Sequence, residues 1–146
     1  FERACAAGAA GGCSLAARVL EGASTVDEQV VRQVPRDMAR AASLYAKGCD
    51  LGAMADCVRL GELYEEGHGV PKDLKRTAAL YQKACDSGDA ALPMTVCSRL
   101  ALLYESGSGV RRDLARAAAL YKQGCQQGIA LDCEALEKIG KGGRKD

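Results

Sequence analysis

Eight cysteines in four close pairs constrain the fold of this 146-residue chain more than any other feature. Three pairs are separated by 8 residues and one pair by 12. An even number of regularly paired cysteines is typical of a disulfide framework formed in an oxidising compartment. We therefore predict a secreted or periplasmic protein. The paired residues are Cys5 and Cys13, Cys49 and Cys57, Cys85 and Cys97, and Cys125 and Cys133.

The cysteines also mark an internal repeat, which has to be found before any other assignment is made. Asp37, Asp73 and Asp113 open equivalent segments that lie 36 and 40 residues apart. Each segment continues with an Arg, a Leu-Tyr pair, a Cys and a Gly, and its apolar residues have helical spacing. The Asp suits a helix N-cap and the Gly suits the position after a helix end. The predicted helices lie near 1–7, 12–22, 37–50, 54–66, 73–86, 94–106, 113–126 and 130–139.

Helical hairpins explain the cysteine spacing. A short turn brings a Cys in the last turn of one helix close to a Cys in the first turn of the next, within the Cα separation that a disulfide needs. We therefore predict a disulfide within each of the four pairs. A disulfide that closes a loop of about nine residues, as three of them do, stabilises by about 2.6 kcal/mol in the chain-entropy model. Zinc knuckles need closer ligand spacing, the chain has a single His, and no Cys-x-x-Cys occurs, so neither a metal site nor a redox site is predicted.

The repeat motifs resemble those of a known family. Leu-Gly-x-x-Tyr at 60–64 is followed by Gly-x-Gly-Val at 67–70 and then by Asp-x-x-Arg with Leu-Tyr and Cys at 73–85. In these motifs the chain resembles Sel1-like repeat proteins, and its cysteines resemble the disulfide-bridged subset typified by the cysteine-rich secreted proteins of Helicobacter. The resemblance implies an all-α, α/α superhelical solenoid, related to tetratricopeptide arrays, that holds proteins or peptides. It also implies an alternative, since some bacterial members bind or slowly hydrolyse β-lactams.

The residues themselves favour a non-catalytic scaffold. No Ser-x-x-Lys motif occurs, and the single His68 lies in a turn where the next repeat has Ser108, so no nucleophile and base are assembled. A net charge of +1 and 4% aromatic residues argue against nucleic-acid binding. The longest uncharged stretch, 4–17, is too short to cross a membrane. We predict a monomer without a cofactor, and a structural spacer within a larger repeat protein remains a further alternative.

Positions that change between repeats indicate where a protein or peptide ligand would bind. We expect the Leu-Gly-x-x-Tyr helices to line the concave side of the solenoid, by analogy with tetratricopeptide arrays. Their variable rows are either a surface adapted to a ligand or an ordinary solvated face. The predicted partner-binding residues are Ser14, Arg18, Val58, Glu62, Glu65, Ser98, Leu102, Glu105, Glu134 and Lys138.

Two insertions and the chain ends complete the predicted organisation. The insertion at Ser24–Val34 has a capping box and valines at every fourth position, and it either docks on its own solenoid or offers an apolar edge to a partner. The apolar loop at 90–94 is a minor candidate contact. We assign 1–139 to the solenoid and 140–146 to a basic tail. Phe1 is in register with Tyr45, so we expect the natural chain to continue upstream.

Overall fold

The computed structural model describes residues 1–22, 29, 36–89, 92 and 95–143, and these residues contain helices and no strand. The predicted all-α fold is confirmed. The predicted insertion at Ser24–Val34 and the loop at 90–94 lie almost wholly outside the described residues. The helices are α1 (Glu2–Ala6), α2 (Ala10–Glu21), α3 (Met38–Asp50), α4 (Met54–Glu66), α5 (Leu74–Asp86), α6 (Thr95–Ser106), α7 (Leu114–Gln126) and α8 (Ala130–Gly143).

The predicted caps delimit these helices. The Asp37 carboxylate accepts the backbone N–H of Arg40 at 3.0 Å, and the Asp113 carboxylate accepts that of Arg116 at 3.0 Å. Such bonds satisfy amide groups that have no partner within the helix. After α3 the chain turns through Gly52 with φ 97°, a backbone conformation that favours glycine.

The last helix is longer than predicted. α8 continues to Gly143, whereas the sequence predicts an end near 139. On the added turns the Lys141 ammonium lies 3.4 Å from the Glu137 carboxylate, an i, i+4 pair that supports a helix. Part of the segment assigned to the basic tail is therefore helical.

All four predicted disulfides are present, and each joins the two helices of one hairpin. The Cα–Cα separations are 4.4 Å for Cys5–Cys13 and 4.7 Å for Cys49–Cys57. They are 5.2 Å for Cys85–Cys97 and 4.7 Å for Cys125–Cys133. The described residues include no free cysteine.

Several of the repeated aromatic and aliphatic positions form the core. Tyr45, Tyr81 and Tyr121 are at most 2% exposed, and Leu60 and Leu100 are also buried. Three polar side chains are buried with them, and all three have partners. They are Asp56, Thr77 and Asp132.

The chain forms two compact units, Phe1–Asp73 and Leu74–Asp146. The first unit contains the hairpins α1–α2 and α3–α4, and the second contains α5–α6 and α7–α8. Each unit therefore has one joint between two hairpins.

Candidate functional site

A hydrogen bond from a half-buried serine to a buried aspartate joins the hairpins in each unit. In the first unit the Ser14 hydroxyl on α2 donates to the Asp56 carboxylate on α4 at 2.7 Å. In the second unit the Ser98 hydroxyl on α6 donates to the Asp132 carboxylate on α8 at 2.6 Å. Both carboxylates are 3% exposed, so the hydroxyl donor offsets part of the cost of burying them. We call each of these pairs a Ser–Asp node.

A glycine makes room for each node. A Cβ atom on Gly48 would lie 1.8 Å from the Asp56 carboxylate, and one on Gly124 would lie 1.7 Å from the Asp132 carboxylate. In the α5–α6 hairpin the equivalent residues are Ala84 and Val96, which are both buried. A hairpin that contributes the buried aspartate thus has glycine at the facing position, whereas the α5–α6 hairpin, which lacks the aspartate, has alanine there.

A tyrosine joins the same hairpins at a second point. The Tyr45 hydroxyl donates to the Glu21 carboxylate at 2.7 Å, and the Tyr121 hydroxyl donates to the Glu105 carboxylate at 2.7 Å. Burial, followed by the negative charge of Asp56, raises the pKa of Tyr45 to about 12. Burial and the bond to Glu105 raise the pKa of Tyr121 as well. Both phenols therefore remain protonated donors at neutral pH, as a structural role requires.

The residues predicted to bind a partner divide into three groups. Ser14 and Ser98 are engaged in the nodes, and Val58 is 7% exposed, so these three have little surface to offer. Four others are half-buried, and of these Glu62 is paired with Arg59 and Glu105 with Tyr121. Leu102 is 56% exposed and lies on the surface with Glu134 and Lys138. The half-buried group is Arg18, Glu62, Glu65 and Glu105.

A cleft lies elsewhere, in the second unit between α5 and α7. It measures about 730 Å³ and shares Gln82, Tyr104 and Arg116 with a second space of about 490 Å³. None of the ten predicted partner-binding residues lines either space. We call the larger space the basic cleft, and it is lined by Lys75, Ala78, Ala79, Gln82, Tyr104, Gly109, Val110, Arg111, Arg112, Asp113 and Arg116.

The turn between α6 and α7 forms one wall of the basic cleft. Gly109 has φ 74°, and a Cβ atom at this position would lie 2.2 Å from the Leu74 carbonyl oxygen. Only glycine allows the turn to approach the start of α5 this closely. The approach holds Arg111 and Arg112 at the edge of the cleft, across from the first turn of α5.

A hydrogen-bonded row forms the floor of the basic cleft. The Tyr104 hydroxyl donates to the side-chain oxygen of Gln82 at 3.2 Å and accepts from the Arg116 guanidinium at 3.1 Å. The Arg116 guanidinium also lies 5.5 Å from the centre of the Tyr104 ring, within cation–π range. The bond to Tyr104 raises the pKa of Arg116, which stays a cation.

Positive charge dominates this cleft. Lys75, Arg111, Arg112 and Arg116 line it and are exposed, whereas Asp113 is the one acid in its lining. The Asp113 carboxylate caps α7 and lies 3.5 Å from the Arg116 guanidinium. The cleft therefore offers an excess of cations to a ligand.

A separate space of about 170 Å³ in the first unit is lined by Phe1, Glu2, Ala16, Val19 and Leu20. Leu20 stands where the second unit has Tyr104, and Glu2 stands where it has Gln82. Arg40, the counterpart of Arg116, forms an ion pair with Glu2.

Sequence reasoning missed the basic cleft, although one signal was present. The turn before each Asp cap reads Val-Pro-Arg-Asp at 34–37, Val-Pro-Lys-Asp at 70–73 and Val-Arg-Arg-Asp at 110–113. Arg111 thus replaces a proline that the other two copies share. The replacement of proline by Arg111 removes a conformationally rigid residue from the turn and adds a positive charge.

The described residues offer little for other chemistry. Within them no three His, Cys, Asp or Glu side chains are grouped so as to hold a metal ion. The imidazole of His68 lies 3.0 Å from the Glu66 carboxylate, and both side chains are about 60% exposed. None of the helices described here has the length and apolar character needed to cross a membrane.

Comparison with known proteins supports the resemblance seen in the repeats. A family model described as the Sel1 repeat matches residues 32–52, 56–89 and 96–129. A Sel1 repeat protein from Oxalobacter formigenes has a similar structure, with a TM-score of 0.71 and 20% identity over 94% of this chain and 94% of that chain. No curated protein sequence matches the chain.

Two further solved structures are similar. A protective antigen of uropathogenic Escherichia coli with an SLR fold gives a TM-score of 0.65 at 20% identity, over 95% of this chain and 35% of that chain. The Helicobacter pylori cysteine rich protein B gives 0.61 at 26% identity, over 92% of this chain and 93% of that chain.

Proposed function

The chain belongs to the Sel1 repeat family, and we propose that it is a non-catalytic scaffold that binds a protein or peptide in an oxidising, extracytoplasmic compartment. The fold supports this function because, within each unit, hairpins held by disulfides and Ser–Asp hydrogen bonds present their outer faces on a constrained frame. A rigid frame loses little conformational entropy when a ligand binds.

The observation that carries the proposal is the basic cleft. Its volume of about 730 Å³ lies within the range of clefts that hold small ligands or a few residues of a peptide. Its cations are exposed, whereas the carboxylates of the joints are already paired inside the protein. Binding groups and framework groups are therefore separate sets of residues.

The four disulfides support the proposed compartment, since disulfides persist in secreted and periplasmic proteins and are rare in the cytosol. We propose the oxidised protein as the active form and a monomer as its state in solution. Leu102, Glu134 and Lys138 are kept as proposed additional contacts because they are exposed.

Site-specific photo-crosslinking tests the proposed function. A photoreactive amino acid is placed in turn at Ala79 in the basic cleft, at Leu102, and at Ala39 as an exposed control in the first unit. The oxidised protein is then incubated with extracytoplasmic extract from its source organism. We expect the same partner to be crosslinked from Ala79 or Leu102 and not from Ala39.

Two outcomes would contradict the proposed function. One is a crosslink pattern that is identical at all three positions or empty at all three. The other is turnover of a chromogenic cephalosporin by the oxidised protein that survives further purification and disappears on reduction, which would indicate the β-lactam activity of relatives instead.

A further inference from the structure

We infer that the basic cleft binds an acidic segment of a partner polypeptide, in which carboxylates alternate with aliphatic side chains. This inference rests on the proposed function and names the chemistry of its ligand. It concerns the second unit, where the residues that carry these charges are described.

Charge complementarity is the first argument. The guanidinium of Arg116 contacts the Tyr104 hydroxyl and lies near the Asp113 carboxylate. A guanidinium has five N–H groups in a planar fork, so these two contacts leave donors for a ligand carboxylate. Arg111 and Arg112 extend the cationic edge along the turn, and Arg112 donates its Nε–H to the backbone oxygen of Glu105 at 3.1 Å, which fixes the direction of its side chain.

The apolar part of the lining is the second argument. Ala78 is 2% exposed, and Ala79 and Val110 border the same space, so small side chains separate Lys75 from the arginines. A gap between cations that is lined by methyl groups accommodates an aliphatic side chain between two carboxylates. Free small carboxylates would leave this part of the cleft unfilled.

The surroundings favour a peptide over a nucleic acid or another extended polyanion. The net charge of the whole chain is +1, whereas proteins that follow a phosphate backbone are typically strongly basic. Tyr104 is the single aromatic residue in the lining and is engaged with Arg116 and Gln82. A platform on which successive bases stack is therefore missing from the cleft.

The chain supplies its own matched variant. Lys75 corresponds to Ala39 in the first unit, and Arg111 corresponds to Pro35 and Pro71. The double variant Lys75→Ala/Arg111→Pro thus replaces two cations by residues that occupy the same repeat positions elsewhere. Arg40→Gln removes the counterpart of Arg116 from the first unit and serves as the control for charge.

The experiment measures fluorescence anisotropy of a labelled peptide of alternating Glu and Val with the full oxidised chain at 50 mM NaCl. The neutral control peptide has Gln in place of every Glu. We expect the Glu peptide to bind at least tenfold more tightly than the Gln peptide, and its affinity to fall severalfold at 300 mM NaCl. Lys75→Ala/Arg111→Pro should weaken binding of the Glu peptide at least tenfold, and Arg40→Gln should leave it within twofold.

Equal affinity for the two peptides would overturn the inference, and so would unchanged binding by the double variant. Displacement of the peptide by free glutamate at equal concentration, or binding of a heparin fragment in its place, would also overturn it in favour of another anion. Intact mass under non-reducing conditions and an unchanged thermal midpoint show that each variant is folded. If the double variant does not fold, Lys75→Gln/Arg112→Gln replaces it with the same expected loss.

Failure of this inference differs from failure of the proposed function. A natural partner that crosslinks from Leu102 equally well in the double variant would leave the scaffold function in place and exclude the basic cleft as the acidic-segment site. Absence of any partner at every position would contradict the scaffold function itself.

Discussion

The two units join their hairpins through the same interior contacts but differ at the outer cleft. Each joint has a Ser–Asp node over a glycine, and a tyrosine that donates to a glutamate. Beside the joints, the first unit has Leu20 and a Glu2–Arg40 ion pair, whereas the second has Tyr104 hydrogen-bonded to Gln82 and Arg116. A change at a buried joint leaves a polar group without its partner, so the residues of the joint are constrained. The exposed residues of the cleft are not.

Loss of a disulfide should have the largest effect, and it should be equal in the two units. The double variants Cys49→Ala/Cys57→Ala and Cys125→Ala/Cys133→Ala each open a loop with a sequence separation of 8. We expect each to lower the free energy of unfolding by about 2–5 kcal/mol. Urea titrations of the oxidised proteins without reductant measure this, and a loss confined to one unit would show that the two frameworks are not equivalent.

Filling the space under a node should have the next largest effect. Gly124→Ala places a Cβ atom 1.7 Å from the Asp132 carboxylate, which forces the carboxylate away from Ser98. We expect a loss of about 2–3 kcal/mol from overpacking and the disturbed hydrogen bond. Gly140→Ala, in α8 with no atom near its Cβ position, is the control and should be neutral or stabilising by up to about 1 kcal/mol.

The exchange seen in the α5–α6 hairpin gives a stricter form of this test. Gly124→Ala combined with Asp132→Val copies Ala84 and Val96. The double variant should recover part of the stability lost in Gly124→Ala, and a further loss would show that crowding is not the cause.

Removing a hydroxyl should have an intermediate effect in both units. Ser14→Ala and Ser98→Ala each leave a buried carboxylate without its hydroxyl donor, which should cost about 1.5–2 kcal/mol. Thermal and urea unfolding measure the loss. Ser106→Ala is the control, because the Ser106 hydroxyl is exposed and bonds within its own helix. If the losses are no larger than that of the control, the Ser–Asp nodes do not stabilise the joints between hairpins.

The first node also predicts a pH dependence. Burial raises the pKa of the Asp56 carboxyl above its ordinary value of 3.8, although the bond from Ser14 and the charge of Arg18 act in the opposite direction. The folded protein then holds this proton more tightly than the unfolded chain, so the group's contribution to stability is lost as pH rises through the raised pKa. In Asp56→Asn this decline should disappear from urea titrations between pH 3 and 7. Asp50→Asn, at an exposed position, corrects for the loss of one negative charge, and an identical decline in both variants would assign the effect to another group.

The smallest effect is expected at the ion pair of the first unit. Arg40 and Glu2 are both about half exposed, and exposed pairs contribute little. Arg40→Gln should therefore lower the free energy of unfolding by less than about 1 kcal/mol, as measured by thermal unfolding with Arg116→Gln in parallel. A larger loss at Arg40 would mean that the pair fixes α1 against α3 and is part of the framework.

Local features of the sequence predicted most of the fold. The Asp37 and Asp113 caps, the glycine after each hairpin helix and the cysteine pairs all act over a few residues, and the structure confirms them. The end of α8 was predicted too early because three glycines, which disfavour a helix, follow residue 139. The Glu137–Lys141 ion pair supports the helix there.

The candidate site was harder to predict because it depends on contacts between distant residues. Ser14 and Asp56 are 42 residues apart, and Ser98 and Asp132 are 34 apart, so the variable row of Ser14, Val58 and Ser98 gave no sign of burial. The basic cleft exists because Gly109 lets one turn approach Leu74, a contact that no periodicity reveals. Comparison of Arg111 with the prolines in the other copies was the available clue.

The alternation of serine-bearing and aspartate-bearing hairpins has a consequence for recombination of such arrays. A crossover at the boundary between Asp73 and Leu74 moves whole pairs of hairpins, so each donor travels together with its acceptor. Duplication or deletion of a single hairpin would leave a buried carboxylate without its serine donor, so the product would be less stable. The unit that keeps each donor with its acceptor is therefore two hairpins long, twice the period that the cysteines display.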